Sequence, residues 1–375
     1  MRVMSIVDHA TLNVALVYPM RGPAGIFGPT CELCARLAAE EINEAGGVLG
    51  RELRLVPVDG GTPPEQVAAE VESLVRMGAV DGVTGWHISS VRQAVAPRIA
   101  HRVPYVYTAL YEGGERTEGV FMTSETPADQ LLPAMRLLAR ERRVRRWYVV
   151  GNDYVWPRRT AREARRYAVD CGGSVAGETY LPLGTHDYRD VLRRIEQTGA
   201  DAVVMLLVGS DAVRFNRAFA RSNLDARCLR LSTLMDENML LASGAGATAG
   251  LYSTAGFFAG LVTRENLDFH GRYAARFGVE APPLGSLGSP ATRGTAARRA
   301  DLAGRLARRA GDRGERRVRV VRGAARPAVD ARPPPVPAHL PGRGRRAGPQ
   351  RGGRADLLTL WTAAVILPVG SNPHS

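Results

Sequence analysis

Short β-branched runs and amphipathic helical stretches alternate along the first 288 residues with few interruptions, and no other property of the chain narrows its fold so far. Nine runs read as strands: LNVALVYP, ELRLVPVD, VDGVTGW, VPYVYTA, VFMTS, RWYVVG, SVAGETYL, DAVVMLLVG and LRLSTL. Helical patterns lie between them at 31–45, 64–77, 88–101, 127–141, 158–171, 188–198 and 211–222. Such an alternation predicts βαβ units and parallel sheets, an α/β fold. Nine strands can build one large sheet or two smaller ones. The Gly- and Thr-rich stretch 111–130 has a short strand inside and reads as a crossing, so two doubly wound lobes joined by a hinge are expected. The expected organisation is an N-terminal extension over 1–11, a first lobe of 12–118 plus about 259–288, a second lobe of 119–258, and a tail of 289–375.

The tail differs in kind. From Ser289 onward there are 18 Arg and 5 acidic residues, an excess of 13, which equals the net charge of the whole chain. The first 288 residues therefore hold 50 − 18 = 32 basic and 37 − 5 = 32 acidic residues and are neutral. A nucleic-acid partner for the folded part loses its main support. The tail's low hydrophobicity and surplus positive charge predict an irregular or disordered segment. Every cation in the chain is arginine. In a GC-rich gene an out-of-frame reading yields such Arg/Ala/Gly/Pro text, and the break at Gly288–Ser289 is abrupt, so a frameshift is the favoured origin. The run LLTLWTAAVILPV within it is too short to span a bilayer. MRVMSIVDHATLNVALVYPM has no apolar core before its first strand. A cytoplasmic location is therefore expected, or an extracytoplasmic one if a leader is missing.

Several chemistries find no motif. The glycines of INEAGGVLGREL (42–53) follow a helix and precede a strand. That is the place for a C-cap and a tight turn, not a dinucleotide loop. There is no phosphate loop, HExxH or GxSxG, and no cofactor or metal is expected. Cys31 and Cys34 have CxxC spacing but fall inside a helical pattern, where packing is the simpler role.

LNVALVYPMRGPAGIFGPTCELCARLAAEEINEAGGVLGRELRLVPVDGG resembles the opening of type I periplasmic binding proteins of the leucine/isoleucine/valine-binding class. GWHISSVRQAVAP (85–97), YTALYEGGE (107–115) and VVGNDYVWPR (149–158) are most similar to the urea and short-chain amide binders and the amide sensors. The resemblance covers about residues 12–288. It implies two lobes closing on a small ligand, three crossing strands, and closing elements after Gly288 that are not recognisable in the tail.

In doubly wound sheets ligands gather beyond the carboxyl ends of strands, and the candidate site residues fall there. Ser89 opens a helix after VDGVTGW, where a hydroxyl and free amides suit a carbonyl or carboxylate oxygen; the resemblance matches it to a ligand-contacting serine. Tyr107 and Ala109 end VPYVYTA, where fraying backbone groups are expected to bond a ligand amide. Tyr154 and Trp156, in VVGNDYVWPRR, match paired aromatics that stack on a planar group. Leu206 and Val208 end DAVVMLLVG. Leu234 and Asp236 lie in LSTLMDEN, where Asp236 either faces the cleft to bind an α-ammonium or caps its own helix. His87 is expected at the rim. The chain thus reads as a solute-binding protein for a short-chain amide, urea derivative or amino acid. It would serve an ABC permease or a cytoplasmic regulator, without catalysis. The alternatives are a two-lobed enzyme acting on small amides, or a nucleic-acid-binding protein acting through its Arg-rich tail.

Overall fold

A computed structural model of the chain describes residues 10–285 and 365–369. The first sheet has the order β2-β1-β3-β4-β5, formed by β1 (Thr11–Tyr18), β2 (Glu52–Asp59), β3 (Gly82–Gly85), β4 (Tyr105–Tyr107) and β5 (Val120–Met122), all parallel. The second has the order β11-β10-β9-β8-β6-β7. Its strands are β6 (Arg146–Asn152), β7 (Ser174–Leu181), β8 (Ala202–Leu206), β9 (Leu229–Ser232), β10 (Leu251–Ala255) and β11 (Val365–Val369). All are parallel except β11, which runs antiparallel to β10. The central strands β1, β6 and β8 are almost wholly buried, as strands covered by helices on both faces must be.

The helices stand where the 3.6-residue periodicity puts them. They are α1 (Gly28–Glu44), α2 (Pro64–Arg76), α3 (Ser89–Ile99), α4 (Pro127–Glu141), α5 (Val155–Asp170), α6 (Arg189–Thr198) and α7 (Ser210–Arg221), followed by α8 (Glu237–Ser243) and α9 (Arg264–Phe277). Thr126 and Asp129 close a capping box on α4, satisfying amides that the first turn leaves free. After α1 the chain turns through Gly46 and Gly47 at φ 95° and 73°, and Gly47 N–H donates to Ile42 O at 2.8 Å. The fingerprint-like glycines are therefore a helix exit.

Three features correct the expectations. β5 pairs with β4 and so belongs to the first sheet, although the sequence places it in the second lobe. Three residues give no periodicity that could say which sheet they join. β10 is a tenth strand of the body, and its partner β11 comes from the tail expected to be irregular. There VILPV is apolar and β-rich enough to cover β10's edge. The rest of that tail lies outside the described residues.

The path between lobes is short. The chain leaves the first sheet after Met122 and enters α4 at Pro127; it leaves the second after Ala255. Glu125 Oε1 accepts from Gly256 N at 2.8 Å, so the two crossings are tied to each other. Phe257, Phe269, Tyr273 and Leu284 then pack on Cys34 and Leu37 of α1. Arg276 on α9 reaches Glu40 of α1 at 2.6 Å. The cysteines of the CxxC spacing are buried packing residues, and burial holds both thiols well above their ordinary range.

Candidate functional site

The topological switch points fall between β1 and β3 in one sheet and between β6 and β8 in the other. The loops leaving β3, β4, β6 and β9 meet there around a narrow cleft that opens to solvent. Its first wall is Trp86, His87, Ile88, Ser89, Tyr107, Ala109 and Leu110; Tyr154, Trp156 and Leu234 form the facing wall.

The first wall is organised by the start of α3. Ile88 is its N-cap in extended conformation, and no side chain caps it. The first-turn amides at Ser89 and Ser90 therefore have no partner in their own helix. Ser89 is buried, and its Oγ accepts from Arg92 Nη1 at 3.2 Å. Arg92 is itself 1% exposed. Its Nε donates to Glu115 at 2.9 Å and its Nη2 to Glu112 at 2.7 Å. The guanidinium also lies over the rings of Tyr107 and Tyr111 at 5.0 and 5.6 Å, so one cation braces the wall from behind.

Hydrogen-bond direction in this wall can be worked out. His87 Nδ1 stands 3.3 Å from Ile88 O, which can only accept, so Nδ1 carries the proton. Nε2 is then an acceptor, and Tyr105 OH donates to it at 2.8 Å. Tyr107 OH donates to His87 O at 2.6 Å. Burial lowers the His87 pKa to about 3, keeping the ring neutral. His87 is thus a buried strut, contrary to the expected rim position. The backbone carbonyl of Tyr107 is taken by Thr123 N at 3.1 Å, so Tyr107 meets the cleft by its ring and hydroxyl and not through frayed backbone.

On the facing wall Tyr154 is the extended N-cap of α5, and Trp156 sits in the helix's first turn. Their ring centroids are 6.3 Å apart and the planes tilt by 33°. The N-cap turn is what carries both rings off the strand end and across the cleft.

Six of the eight candidate residues, Ser89, Tyr107, Ala109, Tyr154, Trp156 and Leu234, are brought together here. Leu206 is not among them: it is fully buried at the end of β8 and does not line the cleft. Asp236 is also elsewhere. It is 1% exposed, and its carboxylate accepts from Met239 N at 3.2 Å as the N-cap of α8. A side chain on Gly285 would collide with its Oδ2, so the returning chain seals it in. Burial raises the Asp236 pKa to about 7. Trp86 is missed by the sequence reading, although its place at the exit of β3 is the same signal that finds Ser89. Its buried Nε1–H has no partner among the described residues.

The lobes are in contact on both flanks of the cleft. Asn238 Nδ2 donates to Pro283 O at 3.0 Å and to Thr30 Oγ1 at 3.3 Å. Gly209, at φ 50°, passes so close to Pro23 that a Cβ would meet that residue's carbonyl oxygen. Among the described residues no His, Cys, Asp and Glu side chains gather as a metal site, and no helix is long and apolar enough to cross a membrane.

A family model described as periplasmic binding protein matches residues 11–320. The chain belongs to the periplasmic binding protein family. The match runs past Gly288 and so extends the resemblance beyond the change of composition. Among relatives of this family, the leucine-, isoleucine-, valine-, threonine- and alanine-binding protein of Pseudomonas aeruginosa is 25% identical over 221 residues, 58% of this chain. The chain spans 59% of that relative's length. A solute-binding protein of an ABC transporter from R. palustris, in complex with 4-hydroxybenzoate, superposes with a TM-score of 0.69 at 22% identity, covering 76% of this chain and 78% of that one. The branched-chain amino acid transporter substrate-binding protein of Streptococcus pneumoniae, in complex with isoleucine, gives 0.67 at 17%, covering 79% and 86%. Both likenesses show the type I periplasmic-binding-protein fold.

Proposed function

We propose that this chain is a solute-binding protein that closes over a small amide or urea derivative and leaves it unchanged. The direction of the hydrogen bonds in the first wall carries this proposal. The Tyr105 and Tyr107 protons point inward to His87, and Ser89 Oγ already accepts from Arg92. What Tyr107 then offers the cleft is oxygen lone pairs, beside a Ser89 hydroxyl that can give or take a hydrogen bond. Beside them stand N–H donors, the first-turn amides of α3 and the Trp86 indole. A primary amide matches that pattern: its NH₂ gives to the hydroxyl oxygens and its carbonyl takes from the N–H groups. Its plane can stack on the aromatic rings, and a short alkyl group can meet Ile88, Leu110 and Leu234 as the lobes close on it.

A carboxylate would set an oxygen against the Tyr107 lone pairs. An α-amino acid would bring an ammonium to a cleft that, among the described residues, no carboxylate lines, since Asp236 caps its own helix.

Calorimetry with butyramide, butyrate, isoleucine and benzoate tests the proposal. Butyramide should bind at least tenfold tighter than the others, with no ammonia released. A preference for isoleucine or benzoate would overturn the amide assignment, and ammonia release would make the protein an enzyme. The closed lobes would be read by an ABC permease, as the family's description favours, or by a cytoplasmic regulator. Recovery of the protein outside the cytoplasm on fractionation supports the first and excludes the second.

A further inference from the structure

Glu112 lies between β4 and β5, and its side chain has no solvent exposure. Arg92, Glu112 and Glu115 bring one positive and two negative charges together, so this buried cluster has one negative charge in excess. Glu112 Oε2 has no hydrogen-bond partner among the described residues. A buried charge left uncompensated is costly. The further cation that approaches comes from the other lobe: Arg159 Nη1 on α5 stands 4.0 Å from Glu112 Oε1. Arg159 lies one residue short of a turn beyond Trp156, so the helix that presents the aromatic wall also carries this charge. Among the described residues Arg159 has no ion pair within its own lobe, and its side chain is half exposed.

We propose that Arg159 is a closing latch. It is a positioning residue whose charge meets Glu112 only while the lobes are together, holding Tyr154 and Trp156 over the solute and slowing its release. The inference extends the solute-binding proposal, and its test separates the two. Small-angle scattering on the full chain with no added solute reads the lobes directly. At about 20 mM salt Arg159→Glu should have a larger radius of gyration than wild type, and the gap should shrink at about 500 mM. Arg159→Lys should restore the wild-type radius. In stopped-flow experiments with butyramide, Arg159→Gln should release the probe about three- to tenfold faster while association changes little. Melting temperatures should stay together, since Arg159 packs in no core. If wild type does not bind butyramide, the amide assignment fails while scattering still decides the latch. Equal radii for wild type and Arg159→Glu at low salt would refute it, as would unchanged release by Arg159→Gln from a wild type that binds.

Discussion

Replacing Asp236 by Asn should remove a pH dependence that the buried carboxyl imposes on the whole protein. Asp236 is 1% exposed, and burial raises its pKa from 3.8 to about 7 against the opposing bond from Met239 N. A carboxyl whose folded pKa lies above its unfolded one holds its proton more tightly when folded. Its contribution to stability is complete below about pH 4 and is lost as pH rises to about 7. The difference between the two values corresponds to about 4 kcal/mol, lost at about 1.4 kcal/mol per pH unit across that window. Glu237, whose carboxyl burial also pushes up, adds to the slope in wild type and variant alike. Asn keeps an acceptor for Met239 N and cannot ionise. Urea denaturation of both proteins at half-unit steps from pH 4 to 8 isolates the difference. Asp236→Asn should gain on wild type steadily to pH 7 and then run parallel. A constant gap would show that the carboxyl is not protonated in the fold. The same pair of proteins checks the ligand assignment: their preference among butyramide, butyrate and isoleucine should be identical, because the carboxylate does not line the cleft.

Trp156→Ala should weaken butyramide binding about ten- to a hundredfold, from burial worth roughly 1.5–3 kcal/mol; an unchanged dissociation constant by calorimetry would place the indole outside the contact surface. Gly209→Ala should prop the lobes apart at Pro23, giving a larger radius of gyration and at least tenfold weaker binding. Its positive φ should also cost about 1 kcal/mol of stability. A chain ending at residue 364 should lose β11, bare the edge of β10 and associate in sedimentation velocity as concentration rises.

The periodic part of this fold was legible because each helix and each long strand carries its own pattern. The seven expected helices of the body appear within a few residues of their sequence limits. Switch-point logic likewise placed Ser89 and the Tyr154–Trp156 pair at strand exits, where the structure has them, since a strand exit followed by a helix start is a local signal. What could not be read depends on partners far along the chain. Leu206 and Met205 are adjacent and equally apolar, and only packing decides that neither side chain reaches the cleft. His87 looked like an exposed donor until Tyr105 and Tyr107 closed over it. Arg92 gave no sign of its place behind Ser89, because its acidic partners lie 20 and 23 residues on, beyond a strand.

The pairing of β10 with β11 also sets an order of events in folding. Ala255 and Val365 face each other across 365 − 255 = 110 residues, whereas β8 and β9 are joined through one helix and a short turn. Closing a loop of that length costs about 2 kcal/mol more than closing one of ten residues. The five-stranded parallel core of the second lobe can thus assemble while β10 still presents a bare row of amides and carbonyls. During synthesis that row must wait for a strand made more than a hundred residues later. The nascent lobe is therefore most exposed to chaperones, and to pairing with a neighbouring copy, when all but its last strand is in place.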